Sequence, residues 1–264
     1  MAILCEKGSN MAYKMAVANI KGGVTKTTTA VNIADQLMER GYRVLLIDLD
    51  PQLSSTIIYE AKTDGVATLE DFFKQDVTLK ECIQSTDFGD IVPCDRLLSE
   101  PSTRIPIGPL MYNYLKNGMN EIENDYDYII IDTPPAFNIL WGNALNCVNG
   151  VIVPFTCDSD AINGAIRVKG YVDEFSQINP NLKIIGELRV LYQKNLLLTR
   201  KINEDIPTLE NFMKAKVFNT CIRICSKAKE ANTLHQRLSV YNKKNNAYED
   251  YSALVDEILK EVSK

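Results

Sequence analysis

The 264-residue chain predicts an α/β fold: one doubly wound, mainly parallel sheet flanked by helices. Three observations carry that reading. Apolar runs of strand length alternate with helical patterns along the chain, the mark of repeated strand–helix–strand units. Two of the runs, RVLLID and YDYIIID, are nearly continuous in Ile, Leu and Val, as strands covered on both faces must be. A third run, residues 15–20, passes through a Gly-containing loop straight into a helical pattern. No internal repeat or low-complexity linker divides the chain, so residues 1–264 are expected to form one domain, with 1–13 a loose N-terminal extension.

The loop after the first strand is chemically loaded. Residues 15–20 are apolar apart from Asn19, and Lys21, Gly22, Gly23, Val24, Thr25, Lys26, Thr27 and Thr28 follow at once. Ala30, Ile33, Ala34, Leu37 and Met38 then repeat at helical spacing. A loop feeding a helix N-terminus gathers backbone N–H groups into one concavity, and the helix dipole favours an anion there. Gly22 and Gly23 lack Cβ, so a polyphosphate can approach the backbone closely. Lys26 supplies a charge for β- and γ-phosphates, and the Thr27 hydroxyl can ligate Mg²⁺. The standard G-x-x-x-x-G-K-[ST] pattern is not met, because Thr25 stands where its last Gly belongs. The stretch fits K-G-G-x-x-K-[ST] instead, which adds a second lysine, Lys21.

The remaining elements follow in order. The first helix runs over 27–40 and Gly41 closes it. The strand over 42–50 ends in Asp48 and Asp50 before Pro51. Alternation puts both carboxylates on one side of the strand end, where open α/β sheets bind ligands. Short helices are expected over 54–59 (capped by Ser54 or Ser55), 68–73 and 78–83, a strand over 89–93, a proline-rich loop over 99–109 and a helix over 110–122. The strand over 126–132 delivers Asp132 to its C-terminal end, where a carboxylate can hold Mg²⁺ through water. A helix over 137–147, a strand over 150–155, a long helix over 158–176 and a strand over 183–191 come next. Helical pieces at 196–202 and 208–212, a short strand at 217–222, and helices at 226–236 and 248–262 complete the chain.

Composition narrows the function. Apolar residues make up 45% and charged residues 24%, as in soluble globular proteins. No apolar run approaches the ~18 residues of a membrane span, and no secretory leader is evident. Seven scattered cysteines without a C-x-x-C point to reduced thiols in the cytoplasm. The single histidine, His235, excludes chemistry built on several imidazoles. Net charge is −5, yet residues 211–244 carry eight Lys or Arg against Glu230 alone, a local +7. Such asymmetry marks a candidate electrostatic footprint.

Four blocks, KGGVTKTTTAVNIA, RVLLIDLDPQ, YDYIIIDTPPAFNILWGNAL and YNKKNNAYEDYSALVDEIL, fall in sequence between about residues 15 and 260. On them the chain resembles the deviant Walker A ATPases with a P-loop NTPase fold. Within these it looks most like the ParA-type partition ATPases, in the small form without an N-terminal DNA-binding domain. The resemblance implies ATP and Mg²⁺ as cofactors, with the loop residues Gly22, Gly23, Val24 and Thr25 around the phosphates. It gives Lys26 the β/γ-phosphates of its own ATP and Lys21 the ATP of a partner copy across a dimer. It gives Thr27 the Mg²⁺, Thr28 the α-phosphate, Asp50 the attacking water, Asp48 support of the Mg²⁺ and switch region, and Asp132 the Mg²⁺ through water. Gln193 and Asn195 would line the adenine pocket, and Arg223, Lys227 and Lys229 would bind DNA without sequence preference. A homodimer formed on ATP, a ParB-like DNA-binding adaptor and a nucleoid-associated, cytoplasmic role in plasmid, mobile-element or chromosome segregation follow from the same resemblance.

Three departures bear on it, one being that Val153-Pro154-Phe155-Thr156-Cys157-Asp158 matches its family block only loosely. A β-branched residue at positive φ carries roughly 1–3 kcal/mol of strain, so Thr25 either avoids that region or the loop bears the strain. Leu53, Ser54 and Ser55 replace the Gly-Asn that usually follows DPQ. Three other readings compete. A MinD-like membrane-cycling ATPase needs a basic amphipathic last helix, but YEDYSALVDEILKEVSK holds five acids against two lysines, so no membrane partner is expected. An iron–sulfur relative needs a cysteine pair at a dimer interface, and none suggests itself. A regulatory binder that has lost hydrolysis is the reading Thr25 motivates.

Overall fold

The computed structural model describes residues 11–263. Strand β1 (Tyr13–Val17) leads into α1 (Lys26–Glu39), β2 (Val44–Asp48), α2 (Ser54–Ile58) and α3 (Leu69–Phe73). The pair β3 (Gln84–Thr86) and β4 (Gly89–Val92) follows, then α4 (Pro101–Arg104), α5 (Tyr114–Met119), β5 (Tyr128–Asp132), α6 (Ile139–Cys147) and β6 (Gly150–Phe155). The chain ends with α7 (Ser159–Phe175), β7 (Lys183–Arg189), α8 (Leu197–Met213), α9 (Ser226–Thr233), α10 (Leu238–Tyr241) and α11 (Asn246–Val262). The seven strands form one sheet in the order β3-β4-β2-β5-β1-β6-β7. Every pairing is parallel except the β3–β4 hairpin at the edge.

Burial explains the strands. All five residues of β2 and all six of β6 are buried. Side chains of these strands point alternately into two cores. One holds Phe73, Trp141 and Phe175 under α3, α6 and α7. The other holds Leu37, Tyr59, Phe218 and Tyr251 under α1 and α11. The apolar face of α11, through Tyr251, Leu254, Val255 and Ile258, is buried in that second core.

β5 lies between β1 and β2, and its register pairs Asp132 with both Val17 and Asp48. The loop after β1 and the carboxylates after β2 and β5 therefore share one end of the sheet. This is the crevice at a switch point where doubly wound sheets place ligands.

Several elements differ from expectation. β1 begins at Tyr13, so the extension predicted over 1–13 stops short of that residue, and residues 1–10 lie outside the described part. β3 is a polar, three-residue edge strand, Gln-Ser-Thr, with no apolar alternation to announce it. The helix expected over 110–122 contracts to α5, with turns on both sides. The two helical pieces around Pro207 are one helix, α8. The missing N–H of Pro207 removes one ladder bond, but Ile202 and Met213 are buried on either side of it. No strand forms over 217–222; Val217 makes an isolated bridge to Glu187, and Arg223, just past the segment, makes another to Tyr192. Leu53, at φ 61, stands at the cap position of α2, so neither Ser54 nor Ser55 caps it. Asp158 caps α7, accepting from Ala161 N.

Glu187 on β7 is fully buried, and neither carboxylate oxygen has a hydrogen-bond partner among the described residues. Burial pushes its carboxyl up to about 8 from an ordinary 4.5, and the charge of Glu210 adds to the rise. A raised acid is stable in its place while protonated. Its destabilisation is absent below the unfolded value and grows as pH rises from about 4.5 to about 8. Glu187→Gln is therefore expected to gain about 2–4 kcal/mol of stability near pH 8 and almost none near pH 4.5. Denaturant melts at the two pH values check this.

Candidate functional site

The site is built from three strand ends and one helix start. Asn19, just past β1, is fully buried. Its Nδ2 donates to Pro154 O at 2.8 Å and its Oδ1 accepts from Lys21 N at 2.9 Å. That side chain ties the loop's entry to β6. Gly164 on α7 makes room for it: a Cβ there would lie 2.5 Å from Asn19 Oδ1.

The loop then turns twice through the left-handed region, at Gly23 (φ 77) and Thr25 (φ 56). Thr25 thus bears the strain that a glycine would avoid. A Cβ added at Gly22 or Gly23 would meet no atom within 4 Å, so the loop faces open space there. Val24 buries its side chain in the core at 1% exposure; only its backbone is offered to the concavity. No side chain caps α1. The N–H groups of Lys26, Thr27 and Thr28 fall in its first turn, ahead of the intrahelical ladder, and they are free to meet an anion.

Lys26 is 8% exposed and donates to Lys21 O at 3.3 Å. Burial lowers its ammonium, while Asp132 and Asp50 pull the other way. Asp48 is fully buried with both oxygens taken. Its Oδ1 accepts from Asp50 N, and its Oδ2 accepts from Thr56 N and Thr56 Oγ1 at 2.8 and 2.7 Å. Asp48 therefore shapes the segment from Asp50 to Thr56 rather than facing the cradle with a free oxygen. Asp50 Oδ1 accepts from Gln52 N at 3.0 Å, and burial raises its carboxyl against the pull of Lys26.

Asp132 is fully buried at the end of β5. Its Oδ2 accepts from Ser55 Oγ at 2.8 Å. Its Oδ1 is buried with no hydrogen-bond partner among the described residues. Burial raises both Asp132 and Asp48, and the Thr27 and Ser55 hydroxyls hold Asp132 down. Clustered buried carboxylates, one with an orphaned oxygen beside a threonine hydroxyl, suit a hydrated divalent cation.

The Lys21 ammonium is engaged by an acid of its own copy. Its Nζ pairs with Asp158 Oδ1 at 2.6 Å, and the two side chains are 32% and 38% exposed. Asp158 also caps α7 and accepts from the Thr156 hydroxyl.

The other predicted residues lie farther off. Gln193 and Asn195 are exposed in the loop beyond β7, two strands from β1. Tyr192 in that loop bonds Ile222 O and accepts from Ile224 N, which fixes the loop to the segment before α9. Arg223 is held in a fork by Asp250, with Nη2 to Oδ1 at 2.6 Å. Lys227 pairs with Glu230 at 2.8 Å.

Charge counting along residues 211–244 therefore overstates the free charge. Lys216, Arg223, Lys227, Arg237 and Lys243 each have an acidic partner, and only Glu230 among those partners lies inside the segment. Of the cations in the segment, Lys214, Lys229 and Lys244 have no ion pair among the described residues.

Asn19, Ser55, Thr56 and Asp158 were not singled out as site residues by sequence. The lone polar residue in an apolar strand was a usable signal for Asn19. Nothing local flags the other three, because their partners are 77, 8 and 137 positions away.

Residues 12–184 match the family model described as an AAA domain. The chromosome partitioning protein ParA of Myxococcus xanthus is 28% identical over 93% of this chain and 87% of its own. The sporulation initiation inhibitor protein Soj of Bacillus subtilis is 29% identical over 94% of this chain and 98% of its own. Among solved structures, cobyrinic acid a,c-diamide synthase from Mycobacterium smegmatis, with bound ATP analogue and magnesium, superposes with a TM-score of 0.81 at 28% identity, covering 96% of each chain. With the strained glycine-containing loop, the second lysine and the carboxylates at the ends of β2 and β5, these likenesses place the chain in the ParA-type partition ATPase family of AAA-domain proteins.

Proposed function

We propose that the chain is a Mg²⁺-dependent ATPase that dimerises on ATP, binds DNA without sequence preference in that state, and is released by a ParB-like partner. The observation that carries the nucleotide part of this reading is the buried Asp132 carboxylate, one oxygen of which has no hydrogen-bond partner among the described residues, near enough to Lys26 and the Thr27 hydroxyl to feel both. Thr27 would hold Mg²⁺ directly and Asp132 through water. The ion supplies charge neutralisation to the β- and γ-phosphates when bound.

The chain's own groups do the rest. The backbone of Gly22, Gly23, Val24 and Thr25 and the first turn of α1 bind the phosphates. Thr28 reaches the α-phosphate, and Gln193 and Asn195 border the base. Asp50, with its carboxyl raised by burial, orients the attacking water. Lys26 stabilises charge at the oxygen between the β- and γ-phosphates from its own copy, and Lys21 does so from the partner. When the γ-phosphate leaves, the group held by both copies is gone, and the dimer and its DNA affinity fall together.

The membrane-cycling reading loses its main requirement, since the apolar face of α11 is already buried in the core. No helix among the described residues is long and apolar enough to cross a membrane.

Gel-shift titrations with plain duplex DNA test the DNA arm. Binding is expected with ATP and Mg²⁺, weakening steeply with salt; equal binding without nucleotide would refute it. The pairing pattern sorts the cations. Lys229→Glu, at an unpaired exposed position, is expected to weaken ATP-dependent binding about tenfold and leave folding intact. Arg223→Ala leaves buried Asp250 without its fork and is expected to lower stability by about 1–3 kcal/mol, read by thermal melts.

A further inference from the structure

Helix α9 carries Lys227 and Lys229, and one of its side chains bonds to the first turn of α1. Asn232 Nδ2 donates to Thr28 Oγ1 at 2.9 Å, across 204 residues of sequence. Both groups are accessible: Asn232 is exposed and Thr28 half-buried. The Thr28 main chain is fixed separately, because its carbonyl accepts from Asn32 Nδ2 at 2.7 Å. Ala231, next to Asn232, is 1% exposed and packs in the core with α11. The carboxamide is thus held at the cradle's rim by its own helix.

A threonine hydroxyl has one proton and two lone pairs. When Asn232 fills one lone pair, the proton is left to be given elsewhere, and accepting a bond strengthens the bond it gives. The remaining partner of opposite need at this position is an anionic oxygen beside the first turn of α1.

We propose that Asn232 is a positioning residue for the nucleotide. It turns the Thr28 hydroxyl toward the phosphates, and it ties occupancy of the cradle to the placement of α9 and its lysines within the same copy. This rests on the reading of Thr28 as a phosphate contact given above. DNA affinity is then set by nucleotide through two routes, pairing of copies and this direct tether.

The test is a double-mutant cycle on nucleotide affinity, using a fluorescent ATP analogue with Mg²⁺ and the full chain. Asn232→Ala is expected to weaken binding about 3–10-fold, and Thr28→Val by a similar factor. If Asn232 acts through Thr28, adding Asn232→Ala to Thr28→Val changes nothing further. Asn232→Asp is expected to weaken binding more than Asn232→Ala, since a carboxylate takes the hydroxyl proton for itself and repels phosphate. At saturating ATP, Asn232→Ala is expected to show a smaller nucleotide-driven gain in DNA affinity than the parent, which a purely local packing role would not produce. Additive losses in the cycle, or Asn232→Asp binding as well as Asn232→Ala, would overturn the proposal and leave the ATPase reading standing. Failure of the parent chain to bind the analogue would overturn both.

Discussion

Lys26→Ala is expected to reduce ATP turnover by at least about 10²–10³-fold, the usual loss when a preorganised charge at a reacting oxygen is removed. The size follows from the surroundings. The ammonium is 8% exposed, its hydrogen bond runs to a loop carbonyl, and Asp132 and Asp50 are near enough to oppose the effect of burial. A cation in that place is weakly hydrated, so it interacts strongly with a phosphate that enters. Its removal also leaves two carboxylates facing the site without their counter-charge, and an incoming triphosphate would meet them. Nucleotide affinity is therefore expected to fall along with turnover. A steady-state phosphate-release assay, with the analogue titration beside it, reads both. An unchanged circular dichroism spectrum is the expected control for folding.

Lys21→Ala is expected to behave differently. Turnover should fall by a similar factor of about 10²–10³, but the affinity of a single copy for nucleotide should change less than about tenfold. Within one copy the Lys21 ammonium is engaged by Asp158, at 2.6 Å, on the N-terminal cap of α7. A lysine with about a third of its side chain exposed holds such a pair loosely, since exposed ion pairs contribute only about 0–1 kcal/mol. Lys21 can therefore leave Asp158 for a partner's γ-phosphate at small cost. An effect confined to turnover separates it from Lys26. Equal losses of nucleotide affinity in both variants would place Lys21 in its own copy's site instead.

How much of this was legible follows from where the information sits. The parallel sheet was readable because β2, β5 and β6 are buried on both faces, which forces Ile, Leu and Val into unbroken runs. Asp48, Asp50 and Asp132 were readable because strand ends are marked by an abrupt change from apolar to charged residues. The sheet order then brought Asp132 into register with Asp48, which no local pattern could state. The edge strand β3 was invisible, since three polar residues paired on one side need no apolar face. Pro207 misled, because tertiary packing through Ile202 and Met213 holds α8 together across a local breaker. The basic segment misled in a related way. Charge summed along the chain ignores Glu39, Asp35, Asp250 and Glu261, which the fold brings back to it. Thr25 marks the opposite case: the sequence posed the question of its backbone, and the loop answers with φ 56. Neighbouring anchors impose that conformation. Val24 is buried on one side, and on the other Thr29 bonds back to Thr25 O at 2.9 Å.

The central claim is that the two lysines meeting at one triphosphate belong to different copies of the chain. Mixing purified Lys21→Ala and Lys26→Ala proteins with Mg²⁺ and ATP at a concentration that the analogue titration shows to occupy both variants tests it directly. In a mixed symmetric dimer, the site of the Lys21→Ala copy keeps its own Lys26 and receives Lys21 from the other, while the second site lacks both. With random pairing, an equimolar mixture should recover about a quarter of parent turnover from two nearly inactive proteins. Turnover that stays at the average of the two separate variants would show that both lysines serve the same copy, and would contradict the account.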